Sequence, residues 1–128
     1  MRTSVVFVHV VFGVAVLTAS VACKSSGAAR LEGRWKGRRA DGVTPELQSS
    51  ANAFAVASEI TVRGDQIAFT TPAARNVTAT LFVDKDEGGA VVIHTNKDVS
   101  SETFTFSGDK TMSWKIDEKR SIVFEKVD

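Results

Sequence analysis

The chain has 128 residues, 43% hydrophobic and 24% charged, with 16 basic residues against 15 acidic ones. Residues 1–22 carry Arg2 and no acid, so the remainder balances 15 basic against 15 acidic groups, and a neutral chain lacks the basic face that nucleic-acid binding requires. One cysteine excludes an intramolecular disulfide, and two histidines leave too few ligands for a zinc centre.

The N-terminus reads as an export signal. Met1-Arg2 is a minimal positive start, the stretch from residue 3 to residue 22 has no charge, and Thr18-Ala19-Ser20-Val21-Ala22 shifts to small residues before Cys23. A charged start, an apolar core and small residues before a cut site describe a secretory signal peptide. Ser20-Val21-Ala22-Cys23 resembles the lipobox of bacterial lipoproteins, with Ser20 where that family usually has Leu. The resemblance implies a diacylglycerol on the Cys23 thiol, cleavage before it, and a membrane as partner through that lipid. Two other readings stay open: a plain signal peptide cut after Ala22, and an uncleaved anchor, since the uncharged run is about long enough to span a bilayer. Residues 23–30 read as the lipidated cysteine and a small, polar tether. Lys24 stands where a sorting Asp would be, which by analogy with Gram-negative lipoproteins favours the outer membrane, on its periplasmic or surface face.

From Leu31 to the C-terminus, residues 31–128 read as one domain, long enough for a single core. The periodicity is mostly two, the mark of half-buried strands. Leu31, Gly33, Trp35 and Gly37 share one face, and Arg34, Lys36 and Arg38 the other. Thr44-Pro45-Glu46 is a helix start, Thr as N-cap and Pro at the first position, ahead of an Ala- and Ser-rich run with Leu47, Ala51 and Phe54 near helical spacing. The competing reading has Phe54, Val56 and Ser58 extend the next strand. Ile60 and Val62, then Ile67 and Phe69 across the Gly64-Asp65 turn, alternate with polar residues. Pro72 ends that strand, since it cannot donate to a ladder. Val77, Ala79, Leu81 and Val83 share a face, and Asp86-Glu87-Gly88-Gly89 turns the chain into residues 90–95. Phe104 with Phe106, Met112 with Trp114 and Ile116, and Ile122 with Phe124 complete eight short strands in meander order. Closing such a meander removes its exposed edges, so the expected fold is all-β: a small eight-stranded antiparallel up-and-down barrel with one short helix between strands 1 and 2.

Gly33-Arg34-Trp35 resembles the Gly-x-Trp motif that opens the first strand of lipocalins, and the chain is similar to small bacterial lipocalin-like lipoproteins. The resemblance implies that Trp35 packs across the closed end and that Gly33 lets the chain bend there. The Thr-Asp-Tyr turn motif of that family is missing, and no basic residue after the last strand matches the one that covers its tryptophan. The same motif also opens other small barrels, some of them protease inhibitors.

Within such a barrel Trp35, Phe69, Phe104, Phe106, Trp114 and Phe124 either line a ligand cavity or pack it solid, since eight strands leave room for little more than side chains. His94 has no second ligand beside it and reads as structural. Asp84, Asp86 and Glu87 lack calcium-loop spacing and read as a solvated turn. Arg34, Lys36 and Arg38 form an outward basic row that either meets anionic headgroups or faces acids on neighbouring strands. No catalytic triad, phosphate loop or paired-carboxylate signature is present, so no enzyme, cofactor or metal is expected. The expectation is a non-catalytic, membrane-tethered module of the cell envelope that binds a small apolar ligand or an envelope component. The alternative is a protease inhibitor or protein-interaction barrel acting through loops, chiefly residues 40–50.

Overall fold

The computed structural model describes residues 27–127. The expected signal peptide, Cys23 and the first part of the tether lie outside the described residues. Helix α1 spans Gly27–Leu31, over the last part of the expected tether. Strand β1 (Gly33–Asp41) leads through a 3-10 turn (Pro45–Leu47) into helix α2 (Gln48–Val56). Seven strands follow: β2 (Glu59–Arg63), β3 (Gln66–Thr70), β4 (Val77–Glu87), β5 (Ala90–Thr95), β6 (Asp98–Phe106), β7 (Thr111–Lys115) and β8 (Ser121–Lys126). Each pairs antiparallel with the next, and β8 returns to β1, so the sheet is a closed eight-stranded up-and-down barrel. That is the expected architecture, with the helix in the expected place.

Alternation dictates what fills it. Trp35, Ile60, Val62, Ile67, Val91, Ile93, Phe104, Met112 and Phe124 are fully buried, each at the inward position of its strand. Three expected inward residues are exposed, the first of them Val77 at the start of β4. Ile116 lies one residue past the end of β7, and Val83 precedes the bulge where β4 slips register against β5.

Helix α2 packs differently from its apolar spacing. Leu47 and Phe54 face solvent, and the buried residue is Ala55. The reason lies on β1, whose pairing with β2 stops at Lys36. Beyond it the strand would be an unpaired edge, and α2 occupies that gap. The Gly37 N–H donates to the Ser58 carbonyl at 3.0 Å, the Ala40 N–H to Asn52 Oδ1 at 2.9 Å, and Gln48 Nε2 to the Ala40 carbonyl at 2.8 Å. Helix side chains thus replace a strand's backbone and satisfy groups that would otherwise be orphaned. The approach is so close that a Cβ on residue 37 would overlap the Ala55 carbonyl oxygen, which requires glycine. Thr44 is extended as an N-cap should be, but its hydroxyl caps nothing, because Pro45 opens a 3-10 turn before the α-helix begins.

Candidate functional site

The two ends of the barrel are built unlike each other. At the end where β1 begins, Gly33 takes a φ of 128°, a conformation that favours glycine, and turns the chain from α1 into the sheet. Helix α1 lies beneath the barrel with Leu31 fully buried and Ala28 packed on the core. Trp35 Nε1 donates to the Leu31 carbonyl at 2.8 Å, and the ring meets Phe106 edge-on at 5.9 Å. Arg30 sits 4.6 Å over the Phe106 ring and pairs with Asp86 at 3.3 Å. Lys126 Nζ lies 5.7 Å from the Trp35 ring. A basic residue therefore does cover the tryptophan. It is the last residue of β8 rather than one beyond it, which is why it escapes a search after the strand.

The other end is a cup. Phe69 and Trp114, their ring centres 5.4 Å apart, lie across the barrel, and Phe104 and Phe124 support Trp114 from below at 6.3 Å. Above them is a cavity of about 330 Å³ walled by Val77 and Ala79 on one side and by Asp98, Ser100 and Glu102 on another. Of the aromatic residues singled out by sequence, Phe69 and Trp114 line this space. Trp35, Phe104 and Phe124 are fully buried, and Phe106 is half-buried at the closed end. They fill the barrel, so the cavity is shallow.

Glu102 is the unexpected member. Trp114 Nε1 donates to its Oε1 at 2.8 Å. Burial pushes its carboxyl above the ordinary value, the Trp114 hydrogen bond opposes that shift, and the charge of Asp98 adds to it. Asp98, Ser100 and Glu102 continue the period of Phe104 and Phe106 along β6, so alternation placed them inward in the sequence. Their polarity is what hides them from a search for apolar faces. The rim turn beside the cup is held by Asp117, which accepts from Arg120 Nε at 2.7 Å and from the Arg120 and Lys119 N–H groups. The Arg120 side chain, then those N–H groups, hold its carboxyl down at about 2.

The remaining candidates lie outside. His94 points outward, stacks on Phe82 at 5.0 Å and meets the Asp84 carboxylate at 2.8 Å. Asp84 on His94 and Asp86 on Arg30 are exposed β4 residues that reach β5 and α1, and Glu87, also exposed, ends β4 at the Gly88-Gly89 turn. The basic row faces acids: Arg38 pairs with Glu125 at 2.9 Å, Arg34 lies 3.9 Å from Glu59, and Lys36 stands in register with both. No group of three or more metal-ligating side chains occurs among the described residues. None of their helices is long and apolar enough to cross a membrane.

No protein-family model and no curated protein sequence matches this chain.

Proposed function

We propose that this chain is an exported lipoprotein, held to a membrane through Cys23, whose barrel is a non-catalytic binding module for a small, largely apolar ligand. The observation that carries the reading is the cup: an aromatic floor of Phe69 and Trp114 under about 330 Å³ of space, at one end of a barrel that is otherwise filled. Pockets that take small molecules are concave and mostly apolar, with a few placed polar groups, and begin near this size. Native mass spectrometry of the purified protein should show a co-purifying small molecule that is lost on Trp114→Ala. An unliganded mass with no response to added apolar probes overturns the reading. Lipidation is tested separately by labelling cells with an alkyne fatty acid: the label should disappear on Cys23→Ser.

The second reading is an interaction or protease-inhibitor barrel acting beside the cup. It is favoured by Leu47 and Val56, large apolar side chains about half exposed around α2. A protease panel tests it, with inhibition lost on Leu47→Ser as its signature.

A further inference from the structure

We propose that the cup selects small organic cations, holding a protonated amine on Glu102 and Asp98 while the amine's short apolar body rests on Phe69 and Trp114. The inference rests on the ligand-binding reading and names its ligand class.

The charges of the lining point this way. Asp98, Ser100 and Glu102 all face the cavity from β6, and the lining's one ammonium, Lys97, is exposed on the turn between β5 and β6. Among the described residues no ion pair engages Asp98, Glu102 or Lys97. Glu102 accepts one hydrogen bond, from Trp114, and Asp98 one, from the Ser100 N–H at 2.9 Å. A carboxylate pair has acceptor capacity for several more. The site therefore presents net negative charge and free acceptors directly beside two aromatic rings, and an ammonium is attracted to both. An anionic amphiphile such as a fatty acid would instead place its head against two carboxylates, and a purely apolar molecule would leave them partly desolvated and unmatched.

The state of Glu102 argues in the same direction. Its carboxyl is raised mainly by burial, so keeping it ionised costs the empty protein something. An apolar residue at that position would pack on Trp114 without the cost. A bound cation offsets it, and perturbed carboxyls in clefts mark functional positions for this reason.

The test is a matched series of octylammonium, octanol and octanoate, titrated calorimetrically into the purified protein at neutral pH and low salt. Octylammonium should bind at least tenfold more tightly than octanoate. Glu102→Gln, which keeps an acceptor for Trp114 and so keeps the floor intact, should cut that preference at least fivefold, and Asp98→Asn should cut it by less. Lowering the pH until Glu102 protonates should weaken octylammonium binding and leave octanol unchanged. Octanoate binding as tightly as octylammonium, or a preference untouched by Glu102→Gln, overturns the cation proposal while leaving the cup a ligand site. If none of the three binds, the ligand-binding reading falls as well.

Discussion

The closed end and the cup of this barrel use the same alternation to opposite effect. At the closed end each inward position is filled and then covered: Trp35 by Leu31, Phe106 and Lys126, and Phe106 in turn by Arg30. At the mouth the aromatic layer of Phe69 and Trp114 is left bare, and the next inward residues on β6 are Glu102, Ser100 and Asp98. Stability in so small a barrel comes from the first arrangement, because buried apolar area and dispersion contacts accumulate only where nothing is left open. The second arrangement gives up some of that to keep a polar, water-accessible hollow.

The contrast can be broken from either side. Trp35→Ala should be the most damaging change, since it removes a fully buried ring and its hydrogen bond to Leu31; a loss of about 3–5 kcal/mol in denaturant titration is expected. Gly37→Ala should cost about 1–3 kcal/mol, because its Cβ drives α2 away from β1. Its signature is faster hydrogen exchange at the Ala40 amide, which Asn52 now protects. Trp114→Phe should cost less, about 1 kcal/mol, by taking the donor from a partly buried carboxylate, and should raise the Glu102 carboxyl further.

Glu102→Gln should have the smallest effect on stability and the clearest dependence on pH. The native carboxyl titrates above its ordinary value of 4.5, so between the two values the native state holds more protons than the unfolded one. Stability of the parent protein should therefore fall as pH rises from 4.5 through the raised value, and remain lowered above it. Denaturant midpoints measured from acid to neutral pH should lose this slope in the variant. An unchanged slope would mean that Glu102 is not the titrating group.

The barrel itself is legible because six of its eight strands alternate large apolar residues with polar or small ones over at least part of their length, β5 and β8 being the exceptions with three large apolar residues in a row, and turn residues such as Gly64-Asp65 and Gly88-Gly89 mark two of the hairpins. The cup is half legible. Phe69 and Trp114 stand out in the sequence together with residues that only fill the core, because composition does not say at what height along a strand an aromatic lies. Glu102 and Asp98 are not legible from apolarity, because they are polar residues at inward positions of β6. Helix α2 is legible from Pro45 and its flanking residues, yet its packing face is not: Ala55 outranks Phe54 at the contact because Gly37 opposite it has no side chain, a complementarity visible only once both elements are placed.

The direction of the chain has one more result. Gly27 enters and Val127 leaves at the filled end, Val127 donating its N–H to the Arg34 carbonyl at 2.8 Å as β8 finishes beside the start of β1. Both ends of the described residues thus lie at the pole opposite the hollow. A surface or fusion partner that meets the barrel at Gly27 or Val127 therefore approaches it from the side away from the opening, which is left facing the surrounding water.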